Sequence, residues 1–181
     1  MKAFVHVLAF ILPIIPLHAE PPAAESQMIS TERVAFAQYC FWTGEMKLGQ
    51  IEGVVFTEAG FFKGREVTLV DYDPDRVSLE KLATQARQAG VADCIHLSSA
   101  ARSAGTFVAG VKVGVALDRT YQAAPGSDQK KQLEGTPYAR LKLTPEQATK
   151  VNAFARVNPG KASQWLAPAQ RPRLPGLRQD H

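Results

Sequence analysis

The sequence predicts an α+β fold, an α/β sandwich in which helices pack on one face of a small sheet. Residues 54–62 and 66–72 are rich in β-branched and aromatic residues, and the Lys-Gly-Arg segment between them is typical of a hairpin. Helical patterns follow at 78–89 and 145–156, each preceded or opened by a capping residue. Two paired strands flanked by amphipathic helices favour a mixed α and β architecture.

Composition and the two chain ends define the domain organisation. The 181 residues are 45% hydrophobic and 21% charged, with both signs mixed, which is typical of one globular domain. We assign residues 1–19 to a cleaved signal peptide ending near Ala19, residues 20–30 to a Pro- and Ala-rich linker, residues 31–168 to the domain, and residues 169–181 to a Pro- and Arg-rich tail.

The assignment of the N-terminus predicts an exported protein, periplasmic or secreted. A charged start at Lys2 precedes a short apolar run, and Pro13 and Pro16 within that run argue against a membrane anchor. No membrane association is therefore expected after cleavage. The formal net charge of +4 is too small and too dispersed to favour nucleic-acid binding.

The first half of the domain has clear element signals. Residues 34–39 predict a first strand, and residues 42–51 a short helix that Gly44 and Gly49 weaken. After the hairpin, Ser78 is a good N-cap for a helix that ends at Gly90.

The second half has weaker signals. Residues 106–117 predict one or two strands, and residues 122–137 a polar loop. Thr144 as N-cap and Pro145 at the first position predict the helix over 145–156. A last short helix is expected at 161–167, with Trp165 in the core.

The residues around Cys40 carry the chemistry. This thiol lies where an apolar strand ends and a helix begins, and a helix start offers free N–H groups and a positive dipole end, which favour thiolate. Phe41 and Trp42 follow directly, and carboxylic acids follow at Glu45 and Glu66. This set predicts an apolar pocket with a nucleophile at its floor and an acid nearby.

The same residues resemble a known family. Cys40-Phe41-Trp42 with Glu45 is similar to the GCFWxxE motif of the methionine sulfoxide reductase A family. The segment from Gly53 to Gly60 resembles that family's GVxxTxxGYxGG, and the segment from Glu66 to Pro74 resembles its EVVxVxYDP. The resemblance covers roughly residues 34–90 and identifies the chain as a divergent, exported member.

The resemblance implies a ferredoxin-like core and a role for each site residue. Cys40 would be the nucleophile and Glu66 the acid, whereas Glu45 would be mostly structural. Phe41 and Trp42 would hold the S-methyl group, and Tyr138, in a segment similar to GTQYRS, would help bind the sulfoxide oxygen. We expect Phe61 to complete the substrate pocket. The expected reaction is reduction of methionine (S)-sulfoxide, free or in peptides, for protein repair under oxidative stress.

The same resemblance implies the cofactors and partners. No metal and no organic cofactor are expected, and electrons would come from a thioredoxin-like protein or a dithiol. The partners would be oxidised methionine in proteins or small sulfoxides, and a monomer is expected.

Several positions depart from the family pattern. Tyr39 replaces the glycine before the cysteine, Phe61 replaces a tyrosine and so removes one hydroxyl, and Leu133 stands where an acidic residue is usual. The family's HDPT segment is not recognisable after the 79–89 helix. An alternative is therefore a non-catalytic binding module, or a thiol–disulfide redox module, on the same fold.

Cys94 is the second thiol, and its role is open. It is assigned as a resolving cysteine that attacks the Cys40 sulfenic acid. A structural bridge to Cys40 or a buried thiol are the other readings, since exported cysteines usually pair. His96 nearby does not complete a metal-ligand spacing.

Overall fold

A computed structural model describes residues 30–98 and 105–171. The predicted signal peptide at 1–19, nearly all of the linker and the tail beyond 171 lie outside these residues. Within them, no helix has the length and apolar character that crossing a membrane requires.

The described chain contains seven strands and four α-helices. The strands are β1 (Glu32–Ala37), β2 (Val54–Phe62), β3 (Arg65–Tyr72), β4 (Cys94–Leu97), β5 (Phe107–Val108), β6 (Val111–Val113) and β7 (Gln122–Ala123). The α-helices are α1 (Phe41–Gly49), α2 (Leu79–Gln88), α3 (Pro145–Phe154) and α4 (Pro159–Gln164). Three single-turn 3-10 helices lie at Gly126–Asp128, Lys131–Leu133 and Pro137–Arg140.

The strands form one mixed sheet in the order β5-β6-β4-β1-β3-β2-β7. Strand β1 pairs antiparallel with both β3 and β4, strand β2 pairs antiparallel with β3, and β4 pairs parallel with β6. The first six elements, β1-α1-β2-β3-α2-β4 with strand order β4-β1-β3-β2, are a split βαβ arrangement of the ferredoxin-like type. The predicted α+β class and ferredoxin-like core are confirmed by this topology.

Alternation along β1 separates the two faces of the sheet. Val34 and Phe36 pack with Leu48 of α1 and Leu82 of α2 in one core cluster. Ala35 and the next alternate residue of β1 face the other side, in a cluster with Phe62, Val67, Leu69, Leu117 and Tyr121. The long helices therefore lie on one face, as the sequence predicts.

Helix α3 begins as its capping residues predict. The side chain of Thr144 accepts a hydrogen bond from the N–H of Gln147, and the Gln147 side chain accepts one from the Thr144 N–H. This capping box satisfies two N–H groups that the helix itself cannot. Pro145 occupies the first turn, as expected.

Other boundaries differ from the predictions by a few residues. The first strand ends at Ala37 and not at residue 39. Gln38 still donates one backbone hydrogen bond to the carbonyl of Glu66, but Tyr39 is exposed to solvent and no longer belongs to the strand. Residues 122–137 are mostly loop as expected, but the two residues of β7 add to the edge of β2. Cys94 begins strand β4, in a region where the sequence pattern predicts no element.

Candidate active site

Cys40 is the N-cap residue of α1. Its backbone is extended, with φ −140° and ψ 113°, and its carbonyl accepts the first helical bond, from the N–H of Gly44 at 3.0 Å. The residue is half-buried, and its side chain makes no capping hydrogen bond. The sulfur is thus held at the positive end of a helix with its lone pairs uncommitted.

Glu66 lies directly beside this helix start. Its Oε2 accepts a hydrogen bond from the N–H of Phe41 at 2.8 Å. The position follows from strand register, because Glu66 pairs with Phe61 on β2 and its carbonyl accepts from the N–H of Gln38. With Oε2 engaged as an acceptor, Oε1 is the oxygen left for a ligand.

Three aromatic side chains, those of Phe41, Trp42 and Phe61, pack together at the start of α1 and form an aromatic wall. The ring of Phe41 is 6.0 Å from that of Trp42 and 5.5 Å from that of Phe61, the latter edge-on. Phe41 is buried against Ala59 and Ala124, whereas Phe61 is 41% exposed. The wall therefore presents one open aromatic surface to a ligand at the helix start.

Glu45 differs from the half-buried Glu66 in its burial and in its partners. It is fully buried, and it accepts bonds from the Nζ of Lys130 at 2.5 Å and from the N–H of Lys130 at 2.7 Å. Burial raises the pKa of Glu45, and the Lys130 ammonium opposes that rise. We take it as the anion of a buried ion pair, because an ammonium and an N–H both point at it. Its geometry agrees with the structural role that the family resemblance implies.

Tyr138 lies in a different part of the molecule. It is buried in the cluster between α3 and α4, together with Val151 and Leu166, and its hydroxyl donates to the carbonyl of Pro159 at 2.7 Å. Burial raises the pKa of Tyr138. The structure brings Cys40, Glu66, Phe41, Trp42 and Phe61 together, and Tyr138 is not in contact with this group in the described clusters.

Cys94 lies on the face of the sheet opposite to α1. It packs against the cluster that contains Ala37 and Phe62, and its sulfur and the ring of His96 border Gly114 so closely that a Cβ there would lie 2.7 Å from the sulfur. Burial raises the pKa of the Cys94 thiol, and the charges of Arg65 and Lys112 oppose this. Among the described residues both cysteines are free thiols.

The polar frame around the wall includes residues that sequence reasoning missed. Gln129 binds both the N–H and the carbonyl of Ala59, at 3.0 and 2.8 Å, and also the carbonyl of Ala124. Lys130 adopts a left-handed backbone (φ 50°) that aims its N–H at Glu45. Neither residue belongs to a recognisable sequence motif. Their roles are visible only in the contacts that the folded chain makes.

Metal ligation does not emerge from the geometry. In residues 30–98 and 105–171, no group of three or more His, Cys, Asp or Glu side chains is arranged to hold an ion. The groups that meet at the start of α1 are a thiol, a carboxyl group and aromatic rings.

Comparison with known proteins finds similarity among solved structures only. No family model and no curated protein matches the chain. Among solved structures, the chain is similar to methionine sulfoxide reductase A of Corynebacterium diphtheriae, with 20% sequence identity, 65% of this chain and 79% of that chain covered, and a TM-score of 0.48. A likeness of this size concerns the course of the backbone and carries no argument about activity.

Proposed function

We propose that this protein reduces methionine (S)-sulfoxide, free or in peptides, by a thiol mechanism with Cys40 as nucleophile and Glu66 as acid. The observation that carries the proposal is the contact of Glu66 Oε2 with the N–H of Phe41, which fixes a carboxyl group at the helix start that begins with the Cys40 thiol. The motif resemblance around Cys40 supports the choice of substrate and of epimer.

The first step transfers the oxygen. The Cys40 thiolate attacks the sulfoxide sulfur while Glu66 gives a proton to the sulfoxide oxygen. The methyl group rests on Phe41, Trp42 and Phe61 by dispersion and sulfur–aromatic contact. Collapse yields the thioether, reduced by two electrons, and Cys40 as sulfenic acid, oxidised by two.

The second step restores the thiol. A thiol attacks the sulfenic sulfur, releases water and forms a disulfide, and a second thiol then frees Cys40. The net reaction consumes one sulfoxide and two thiols and gives one thioether, one disulfide and one water. A thioredoxin-like protein or a dithiol supplies the two electrons, either by attacking the sulfenic acid itself or by reducing a Cys40–Cys94 disulfide, and no step uses a metal or an organic cofactor.

Cys94 is the proposed internal source of the first of these thiols. Its strand partner Ala37 lies three positions before Cys40, and Cys94 itself lies on the face of the sheet opposite to α1. One equivalent of sulfoxide without reductant distinguishes the cases. A Cys40–Cys94 disulfide by mass spectrometry supports internal resolution, whereas a Cys40 sulfenate trapped by a dimedone-type reagent assigns resolution to the external thiol.

The decisive experiment measures reduction of the separate S and R epimers of a blocked methionine sulfoxide with dithiothreitol. We expect turnover of the S epimer by the mature chain and none by Cys40→Ser. Activity retained in Cys40→Ser would contradict the proposal. No turnover by the parent chain, with Cys40 bonded to Cys94, would favour the binding or disulfide-exchange module instead.

Export belongs to the same proposal. The Met1–Ala19 segment has the charged start and apolar run of a signal peptide. Mass spectrometry of the protein recovered from the periplasm or medium should give an N-terminus near Glu20. Recovery of the uncleaved chain from the cytoplasm would reject it.

A further inference from the structure

A cavity of about 240 Å³ lies at the C-terminal end of α1, whereas Cys40 lies at the N-terminal end of the same helix. Its walls come from the residues after α1, from the turn after β3, and from α3 and α4. Phe154 and Trp165 form the apolar part of the wall. Neither the thiol nor Glu66 lines it, so the proposed function makes no use of this space.

The charges that line the cavity are unbalanced. Arg76, Lys150 and Lys161 contribute three cations, and Glu52 contributes one carboxylate. Glu52 is already paired with Arg76 at 3.2 Å, and 81% of its side chain is exposed. Lys150 and Lys161 form no direct ion pair in the part of the chain that the structure describes, and the cavity lining carries two more positive than negative charges.

Lys150 makes this imbalance costly because it is only 4% exposed. Its Nζ donates to the carbonyls of Gly49 and Ile51, both at 2.9 Å, and these partners carry no formal charge. Burial, together with the charges of Arg76 and Lys161, lowers the pKa of Lys150 to about 8. The carboxylates of Glu146 and Glu52 oppose this shift. An ammonium kept from water beside two other cations is stabilised by any anion that enters.

We propose that this cavity is a binding site for a small doubly charged oxyanion, with Arg76 and Lys161 as its direct ligands and Lys150 as the buried charge behind them. The planar guanidinium of Arg76 suits two oxygens of one ligand, and the ammonium of Lys161 can bind a third. Lys161 already lies over the Phe154 ring, with its Nζ 4.3 Å from the centroid, at the edge of the cavity. Inorganic phosphate and a small dicarboxylate share the chemistry that this site recognises.

The test uses inorganic phosphate, and separately succinate, at constant ionic strength set with sodium chloride. The indole N–H of Trp165, assigned with Trp165→Phe, reports binding by NMR because its ring lines the cavity. We expect a saturable shift in the parent chain. Binding by Arg76→Gln/Lys161→Gln should be weaker by roughly tenfold or more, since charge-assisted hydrogen bonds are worth about that factor.

A matched double variant removes the same charge elsewhere. Arg87→Gln/Lys112→Gln leaves the cavity intact and should bind within roughly twofold of the parent, because exposed distant charges are screened. Absence of a saturable shift, or equal weakening in both double variants, would overturn the proposal. Binding of phosphate but not succinate would support it and identify a tetrahedral anion as the ligand. Sulfoxide turnover is not the readout, so this result is independent of the proposed function.

Discussion

At its first turn α1 meets a carboxylate, and beyond its last turn it meets a buried ammonium. Glu66 accepts from the N–H of Phe41, and Lys150 donates to the carbonyls of Gly49 and Ile51. Both contacts satisfy backbone groups that the helix leaves unpaired at or just beyond its ends. They differ in solvent access, because Glu66 is half-buried while Lys150 is almost fully enclosed.

This difference in burial distinguishes a residue proposed to react, Glu66, from a residue that stabilises the fold, Lys150. A half-buried carboxyl held by one hydrogen bond can exchange its proton with a substrate, and removing it leaves no enclosed charge unpaired. A buried ion or ion pair holds the chain in place, and removing one partner leaves the other without compensation. Glu45, in the middle of the same helix, belongs with the second kind through its pair with Lys130.

The largest effect on rate should come from Glu66→Gln. The amide keeps an acceptor for the Phe41 N–H but cannot donate a carboxyl proton, so sulfoxide turnover should fall by about 10²–10⁴-fold. The midpoint of urea unfolding should stay near that of the parent. A variant that loses stability and rate together would place Glu66 with the residues that stabilise the fold and break the comparison.

The largest effect on stability should come from Glu45→Gln. It leaves the Lys130 ammonium enclosed without a counter-charge, and breaking a buried pair costs about 3–5 kcal/mol in the free energy of unfolding. Urea titration measures it.

Glu134→Gln is the matched control, because it breaks a lysine–carboxylate pair with Lys131 at the surface. Little change is expected there. An equal loss in the free energy of unfolding in the two variants would show that the burial of Glu45 does not strengthen its ion pair.

The buried Lys150 at the C-terminal end of α1 should make the free energy of unfolding depend on pH. The pKa of Lys150 is lowered to about 8 by burial, below its value in the unfolded chain. Between these two values the unfolded state binds more protons, so stability rises with pH. The gain from pH 8 to pH 10 should be about 2 kcal/mol.

One thiol and three tyrosines oppose this rise. Burial raises the pKa of Cys94, Tyr72, Tyr121 and Tyr138, so the folded state keeps protons that the unfolded chain loses above about pH 8.5 for the thiol and about pH 10 for the tyrosines, and each group then lowers stability. Urea titrations at pH 8, 9 and 10 measure the rise, and Lys150→Met should abolish it. The exposed Lys142→Met serves as control, and a rise that persists in Lys150→Met would assign it to another group.

Local signals predicted the first half of the fold well. The hairpin appears at 54–62 and 65–72, and the helix capped by Ser78 runs over 79–88, because turn and cap residues act within a few positions of themselves. The contact between Glu66 and the start of α1 was suggested only by motif resemblance. Strand register then supplied the geometry.

The parts that could not be predicted depend on distant contacts. Lys130 reaches Glu45 from 85 positions away, and Lys150 reaches Gly49 from 101 positions away. Tyr138 was assigned to the pocket from a short motif, yet its hydroxyl is bonded to Pro159 in the α3–α4 core. A spacing pattern says which residues share an element, and it does not say which elements meet.

The smallest expected effect is a change in kcat/KM on substitution of Phe61, at the N-terminal end of α1. Phe61 stands where the resembled family has a tyrosine, and its ring is 41% exposed beside Phe41. In Phe61→Tyr the added hydroxyl can donate to the sulfoxide oxygen, and a neutral hydrogen bond of about 0.5–1.5 kcal/mol corresponds to a gain of roughly 2–12-fold in kcat/KM. Phe61→Leu removes the ring without adding a donor and should lower the same constant. An unchanged kcat/KM in Phe61→Tyr would mean that Glu66 alone meets the oxygen, and the exposed face of Phe61 would then serve only the methyl group.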